Sequence, residues 1–169
     1  MKIGIIGSND RAVAIGRLLA SEKNEVSFSD PAHPDTAEEA ARRAGVATEI
    51  PYRQAMTKDV LIVAAPREEL DRDLNAMGPH PSAIVVDAAE GSTATKTSGA
   101  ELLSHMLDDH RVVRALVVLP QEGANVPICG DDANAKVIVD RMFQEAGCIT
   151  TDRGPLSAAK ELEPRPVAA

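Results

Sequence analysis

The chain has 169 residues, a hydrophobic fraction of 44%, an aromatic fraction of 2% and a formal net charge of −8, which is the composition of one globular domain able to bury a core without disulfides or metals. The acidic balance and the scarcity of aromatic side chains argue against a nucleic-acid partner or an anionic membrane surface, because such partners require clustered Lys and Arg or stacking platforms. Two cysteines are too few for a disulfide framework and lack the paired spacing of a zinc site, so we expect a reduced, cytoplasmic setting. The sequence has no apolar run as long as a membrane span and no signal-peptide pattern at its start, so we expect its first residues to belong to the fold.

Short runs of apolar and β-branched residues predict the strands of a buried parallel sheet. In chain order, these runs cover residues 2–6, 25–29, 60–64, 83–87 and 112–118. A run at 126–130 contains a proline, which favours an edge-like strand. A last run at 148–151 is expected to close the sheet.

Helices are predicted between these strands from the spacing of apolar residues and from capping residues. They cover about 11–22, 37–45, 67–77, 101–110 and 131–147, with a loop of small residues at 91–99. Asp35 or Thr36 is the expected N-cap of the second helix, and Gly45 and Gly147 are expected to end the second and last helices.

Strands that alternate with helices at this cadence predict an α/β fold with a Rossmann-like, doubly wound, largely parallel sheet in a single domain. We expect residues 1–163 to form this one domain and residues 164–169 to be a frayed tail.

The first strand is followed by a candidate phosphate-binding turn. Its sequence is GSNDRA, beginning at Gly7, and it sits between a buried strand and a helix, as the G-x-G-x-x-G/A pattern requires. Gly7 supplies the tight turn and Ala12 the small packing residue, but Asn9 replaces the middle glycine. A dinucleotide or mononucleotide site is one interpretation of this turn, and a purely structural connection is the other.

Asp30 ends the second strand, close to the roughly 20-residue spacing of the acid that binds the adenine ribose. A carboxylate at this point repels a 2′-phosphate, so Asp30 favours NAD over NADP, and the residues that follow it supply no arginine. The alternative is a turn in which Asp30 bonds its own backbone.

The later segments carry a resemblance to a known family. The stretch VPICGDDANAKVIVDRMFQEAGCITTDRGPLSAAKELEP, together with IGIIG, VLIVAAP, IVVDAAEG and VVRALVVLP, occurs in the order seen in the NADP oxidoreductase, coenzyme F420-dependent family. CGDD and DRGPL at this separation are the most specific of these matches. The chain therefore resembles that family over nearly its whole length, with a shortened C-terminus.

The resemblance implies a Rossmann-like enzyme that passes hydride between a nicotinamide nucleotide and a second carrier, in some members a 5-deazaflavin. It also implies a homodimer. The residues that it places along the pyrophosphate are Gly7, Ser8, Asn9, Asp10 and Arg11, with Asp30 at the adenine ribose. Those that it places beside the nicotinamide and the hydride-transfer crevice are Ala64, Ala65, Pro66, Ala88, Ala89, Val117, Leu119 and Pro120.

The sequence departs from the family at several cofactor contacts. Asn9 replaces a glycine, Asp30-Pro31-Ala32 replaces a Ser/Arg/Arg clamp for the 2′-phosphate, and Glu90-Gly91 replaces Asn-Pro. Val117-Val118 stands where the family has a polar pair. Two functions from different classes therefore stay open: an NAD(P)-dependent oxidoreductase, with a flavin-like or small carbonyl partner substrate, and a catalytically impaired nucleotide-binding or sensor module of the same fold.

The other reactive residue types are expected to have ordinary roles. Cys129 and Cys148 are interpreted as buried small hydrophobes, and Asp131-Asp132 as an N-cap. Arg67, which follows Pro66 at a strand end, is a candidate for binding a phosphate or a substrate carboxylate. The histidines lack metal-ligand spacing and are expected in solvent: His33, His80, His105 and His110.

Overall fold

The computed structural model describes residues 1–21, 23–46, 50–67, 69, 83–91, 93, 95–108, 111–115, 118 and 121–163. Within this part of the chain, seven strands form one sheet in the order β2-β1-β3-β4-β5-β6-β7. The strands are β1 (Lys2–Ile6), β2 (Glu25–Ser29), β3 (Val60–Val63), β4 (Ile84–Asp87), β5 (Val112–Ala115), β6 (Asn125–Gly130) and β7 (Ile149–Asp152). All neighbouring pairs are parallel except β5 and β6, which are antiparallel.

The described helices are α1 (Asp10–Leu19), α2 (Pro34–Ala44), α3 (Tyr52–Ala55), α4 (Gly99–Leu107) and α5 (Ala133–Glu145), followed by a 3-10 helix at Leu156–Leu162. Ser98 and Glu101 form a reciprocal capping box at the start of α4. Asp132 caps α5 through the backbone N–H of Ala135, at 2.8 Å.

Both faces of the sheet are covered, so the doubly wound α/β fold is confirmed. One apolar core packs residues of α1, α2 and α5 against the sheet, with Phe28 and Phe143 fully buried. The other core packs residues of α3, α4 and the 3-10 helix against the opposite face, around Leu61 and Leu103. Strands buried on both faces are mostly apolar, which is why their apolar runs are almost continuous in the sequence.

Most predicted elements are present with small shifts at their ends. The strands at 2–6 and 25–29 are confirmed residue for residue, and α4 begins at Gly99 rather than at residue 101. The expected cap of α2 is wrong: the helix begins at Pro34 with His33 at the N-cap, because proline at the first helical position needs no N–H partner. Gly45 ends α2 in the left-handed conformation, as expected.

The expectation that residues 126–130 form an edge-like strand is also wrong, because β6 lies between β5 and β7. Its register with β5 runs from Ile128 to Gly130 and stops before Pro127, which pairs only with Thr151 of β7. The missing N–H of Pro127 therefore lies beyond the ladder with β5, so proline is tolerated inside the sheet.

Three predicted segments lie outside the described residues. These are most of the helix at 67–77, residues 116–117 of the fifth strand run and the tail at 164–169. Among the described helices, none combines the length and apolar character needed to cross a membrane.

Candidate dinucleotide site

The candidate site lies where the carboxyl ends of β1, β2 and β3 meet. From β1 the chain moves to β2 on one side, and then crosses to β3 on the other side of β1. In an open α/β sheet, ligands bind in the crevice at such a switch point. Gly7, Asp30 and Ala64 each follow one of these three strands directly.

Gly7 allows the turn after β1 to approach the end of β3 closely. Its φ of 114° lies in the region that favours glycine, and a Cβ added there would lie 2.7 Å from the backbone nitrogen of Ala65. A side chain would force the two loops apart. Gly7 also donates its N–H to the carbonyl of Ser29 at 2.9 Å, which ties the turn to β2.

Asn9 connects the start of α1 to the end of β3. Its Oδ1 accepts the N–H of Ala12 at 2.8 Å, and its Nδ2 donates to the carbonyl of Ala64 at 2.8 Å. Its φ of −67° is accessible to any residue, so the backbone here does not require glycine. Asn9 therefore caps α1 and links the turn after β1 to the end of β3. The G-x-G-x-x-G/A pattern identifies Asn9 only as the replacement of a glycine.

Asp30 is buried, with 5% of its surface exposed, and both of its carboxylate oxygens are engaged. Ser8 donates its hydroxyl to Oδ2 at 2.5 Å, and the backbone N–H of His33 donates to Oδ1 at 2.9 Å. The Ser8 hydroxyl also lies 2.6 Å from that of Thr36. The structure thus contains the turn contact expected of the structural interpretation, together with a direct link from Asp30 to the phosphate turn.

A pocket of about 270 Å³ opens beside Asp30. Four segments line it: the phosphate turn, the loop after β2, one face of α2 and the segment after β3. The lining residues are Ser8, Asn9, Asp30, His33, Thr36, Glu39, Ala40, Arg43, Pro66 and Glu69. Pro66, which the family resemblance placed on the nicotinamide side, therefore shares a pocket with Asp30. We call this space the Asp30 pocket.

A second cavity, of about 520 Å³, lies beyond the ends of β4 and β5. Its lining is Arg11, Ala89, Glu90, Gly91, Arg114, Val118, Glu161, Leu162 and Glu163. We call it the β4–β5 cavity. Ala88, which precedes the lining residue Ala89, is fully buried. Val117, Leu119 and Pro120, which were expected to border the crevice, lie outside the described residues.

Arg11 joins the phosphate turn to this cavity. It belongs to the first turn of α1, and its guanidinium contacts the carboxylate of Glu90, with Nη2 at 2.5 Å and Nε at 2.7 Å from Oε1. Glu90 follows β4 and its side chain is 64% exposed. The pair therefore spans the opening between the turn after β1 and the loop after β4.

A buried cluster of charges supports the loop after β4. Asp87 is fully buried and lies 3.2 Å from a guanidinium nitrogen of both Arg67 and Arg114. Arg114 also donates to the carbonyl of Ala89 at 2.9 Å, and Asp87 accepts the N–H of Ala89 at 3.1 Å. Among the described residues, the Nε atoms of Arg67 and Arg114 have no hydrogen-bond partner.

Sequence reasoning identified Arg67 but missed Asp87 and Arg114. The signal available was a charged residue within each of two otherwise apolar strands, IVVD and VVRA. Burying a charged side chain is costly unless it is paired with an opposite charge. The pattern therefore predicts that each of these residues has a partner, but it does not identify the partner. In the structure, Arg67 is engaged with Asp87 and does not point freely into a ligand pocket.

Glu163 fastens the 3-10 helix to the loop before α4. Its carboxylate accepts the N–H of Gly99 at 2.6 Å and that of Thr93 at 3.2 Å, and it pairs with Lys160 at 2.8 Å. Burial opposes its ionisation, but the hydrogen bonds from Gly99, Lys160 and Thr93 outweigh burial and lower the pKa of Glu163. Because Leu162 and Glu163 line the β4–β5 cavity, this contact fixes one of its walls.

The cysteines lie in the core. Burial raises the pKa of the Cys129 thiol to about 12 and also raises that of Cys148, so both thiols are poor nucleophiles at neutral pH. Within the described part of the chain, no group of three or more His, Cys, Asp and Glu side chains is placed to hold a metal. His80 and His110 lie outside that part.

The comparisons with known proteins agree with this geometry. Residues 2–91 match the family described as NADP oxidoreductase, coenzyme F420-dependent. The match covers the phosphate turn, Asp30 and the loop after β4, and it ends before the CGDD and DRGPL segments.

Solved structures share the fold across almost the whole chain. A hypothetical protein from Sinorhizobium meliloti superimposes with a TM-score of 0.80 at 18% identity, over 95% of this chain and 88% of that one. A protein of Arthrobacter sp. FB24, named for a proposed F420-dependent NADP-reductase activity, gives 0.77 at 18% identity over the same shares. Prephenate dehydrogenase from A. aeolicus, solved with hydroxyphenyl propionate and NAD⁺, gives 0.70 at 14% identity over 92% of this chain and 60% of that one.

The fold and the switch-point site together define an α/β protein of the Rossmann-like, dinucleotide-binding class. Since the family match spans more than half of the sequence, the chain belongs to the coenzyme F420-dependent NADP oxidoreductase family. The resemblance found in the sequence is thereby confirmed.

Proposed function

We propose that this protein is an NAD(P)-dependent oxidoreductase that transfers hydride between a nicotinamide nucleotide and a second carrier, such as a 5-deazaflavin or a flavin, or a small substrate. The observation that carries the proposal is that the turn after β1 lines both spaces, with Ser8 and Asn9 in one and Arg11 in the other. The Asp30 pocket and the β4–β5 cavity lie along the carboxyl edge of the same sheet, and the turn from Gly7 to Arg11 runs between them. A dinucleotide lies along such an edge with its pyrophosphate at the helix start.

The residues of the turn fit a dinucleotide in two respects. Gly7 holds the loops at a separation that a Cβ would not permit, which brings backbone close to the expected pyrophosphate position. The N-terminus of α1 adds its positive dipole end. In this arrangement Gly7, Ser8, Asn9, Asp10 and Arg11 line the pyrophosphate.

Asp30 is the residue proposed to hold the adenine ribose. A carboxylate has about four acceptor positions, so the existing bonds to Ser8 and His33 leave capacity for ribose hydroxyls. Its buried negative charge disfavours a 2′-phosphate, so we propose NAD as the preferred cofactor.

The β4–β5 cavity is the proposed site of the second substrate. Ala89, Val118 and Leu162 give it an apolar lining, which suits a flat ring system. The nicotinamide supplies the hydride when it is bound, and the protein's part is to align the two rings and exclude water. Ala64, Ala65 and Ala88, which are buried at the strand ends, are proposed to border the crevice. The protein is also proposed to form a homodimer, and its proposed location is the cytoplasm.

The second candidate function, an impaired nucleotide-binding module, is favoured by a specific pair of contacts. Asn9 uses its side chain on Ala12 and Ala64, and the pair of Arg11 with Glu90 crosses the opening between the turn and the cavity. If these contacts exclude the cofactor, Asn9→Gly and Glu90→Asn will raise its affinity from undetectable to micromolar. If the native protein already binds the cofactor, the same contacts tune specificity.

A thermal-shift titration with NAD⁺, NADH, NADP⁺ and NADPH tests the proposal. A ligand at 100 times its dissociation constant stabilises the native state by about 2.7 kcal/mol, which raises the Tm by roughly 5–10 °C for a domain of this size. We expect a larger shift with NAD(H) than with NADP(H), and loss of the shift in Asp30→Ala. Asp59→Ala, at an acid outside both spaces, is the control. No shift with any nucleotide at millimolar concentration would refute the oxidoreductase proposal.

A further inference from the structure

We propose that Asp10 is a specificity-determining residue, which holds Arg43 in an ion pair and so withholds this arginine from a 2′-phosphate in the Asp30 pocket. This inference rests on the proposed function, since it concerns which nucleotide the same pocket admits. It adds a residue from α1 and a residue from α2 to the selection attributed above to Asp30 alone.

The geometry places Arg43 in the pocket although it is distant from Asp30 in sequence. Thr36, Glu39, Ala40 and Arg43 recur at helical spacing, so they share the face of α2 that lines the Asp30 pocket. The residues directly after Asp30 contain no arginine, which is the basis on which the sequence favours NAD. In the structure, the last turn of α2 places an arginine, Arg43, in the pocket.

Asp10 competes for this arginine. Its Oδ1 lies 2.6 Å from Nη2 of Arg43, across the gap between the first turn of α1 and the last turn of α2. The side chain of Asp10 is 91% exposed and that of Arg43 is 44% exposed. An ion pair in this environment is weak and exchanges partners readily, so the position of Arg43 depends on which anions are nearby.

The remaining charges of the pocket disfavour a phosphate while Arg43 is paired. Asp30, Glu39 and Glu69 line the pocket, and His33 lies 3.5 Å from Asp30 and 3.9 Å from Glu69. Glu39 is paired with Arg42, so Asp30 and Glu69 are the carboxylates that most disfavour a group with up to two further negative charges. Without Asp10, Arg43 is free to form a charge-assisted contact to the phosphate.

The test compares NAD⁺ and NADP⁺, which differ only in the 2′-phosphate. Dissociation constants are measured by isothermal titration calorimetry on the full chain, for the wild type, Asp10→Asn, Arg43→Gln and the double variant. We expect NAD⁺ to bind the wild type more tightly. Asp10→Asn raises the affinity for NADP⁺ relative to NAD⁺ by about fivefold, the upper range for an exposed pair. Arg43→Gln in the wild-type background leaves the ratio within about twofold.

The double variant separates the role of Arg43 from the simple loss of a negative charge. The gain for NADP⁺ disappears in Asp10→Asn/Arg43→Gln if Arg43 is the phosphate ligand. A gain that survives in the double variant, or an equal gain for both nucleotides in Asp10→Asn, overturns the inference. Arg53→Gln, an exposed arginine of α3 that does not line the pocket, is the matched control and leaves the ratio unchanged.

The outcomes also separate this inference from the proposed function. A wild-type protein that binds neither nucleotide refutes both. A wild-type protein that binds NAD⁺, with a ratio insensitive to Asp10→Asn, supports the proposed function and refutes the role of Asp10.

Discussion

The two side-chain hydrogen bonds of Asn9 make a quantitative prediction for the variant Asn9→Ala. Loss of the cap on Ala12 costs about 1 kcal/mol, as for other N-cap residues. Loss of the bond to the carbonyl of Ala64, whose residue is fully buried, costs about another 1 kcal/mol. We expect a decrease of about 2 kcal/mol in the free energy of unfolding and a fall in Tm of about 4–8 °C.

Urea denaturation followed by circular dichroism measures this change, and two variants resolve its parts. Asn9→Ser keeps an acceptor for the helix cap and loses the bond to Ala64, so it should cost about half as much. Asp132→Ala removes the cap of α5, a single bond to Ala135, and should cost about 1 kcal/mol. A loss below about 0.5 kcal/mol for Asn9→Ala, within the range of ordinary surface substitutions, would show that Asn9 does not join α1 to β3.

Three further predictions concern other described contacts. Gly7→Ala should destabilise the fold by more than about 1 kcal/mol in urea titrations, because the added Cβ meets Ala65 at a positive φ; a neutral effect would contradict the close approach of the loops. Asp87→Asn should cost about 3–5 kcal/mol, since it leaves buried Arg114 and half-buried Arg67 without a counter-charge; a cost below about 1 kcal/mol would contradict that pairing. The folded-state pKa of Glu163 lies below its ordinary value of 4.5, so its ionised form stabilises the protein above that pH and the stabilisation is lost as the pH falls further. Unfolding free energies measured between about pH 5 and pH 3 should therefore fall more steeply in the wild type than in Glu163→Gln, and equal slopes would contradict the contact.

The first half of the site was predictable because its signals are local. A continuous apolar run, a glycine, a capping residue and a helical repeat follow one another between residues 2 and 19, and each has its own physical cause. The link between Asp30 and Ser8 was not predictable, although both residues were singled out, because it depends on how the ends of β1 and β2 align.

The buried charges show where sequence reasoning stops. The contact of Asp87 with Arg114 follows from the register of β4 and β5, in which these two residues are direct neighbours. No local pattern encodes which strand lies beside which, so the partner of a buried charge stays unknown until the sheet order is known. Arg43 was missed for a similar reason, because helix packing brings it to the Asp30 pocket.

The paired CGDD and DRGPL motifs have a structural explanation. Asp131 accepts the N–H of Leu156 at 2.9 Å, and Gly130 donates its N–H to the carbonyl of Gly154 at 3.1 Å. Asp132 caps α5, as the N-cap interpretation predicted. The two motifs therefore hold together the segment that follows β6 and the segment that follows β7. Their occurrence in the sequence indicates this feature of the fold and not the chemistry of the candidate site.

The contact of Glu163 with the loop before α4 has a consequence for the order of folding. The bonds of Asn9 and Ser8 to Ala64 and Asp30 use residues from the start of the chain only, although Asn9 and Ala64 are 55 residues apart. Glu163, in contrast, bonds Thr93 and Gly99 from near the end of the chain, across 70 and 64 residues. Both sets of contacts close long loops, so the difference between them is their place in the chain. During synthesis from the N-terminus, the partners of the nucleotide-facing turn are therefore all present well before the residue that fixes the wall of the β4–β5 cavity.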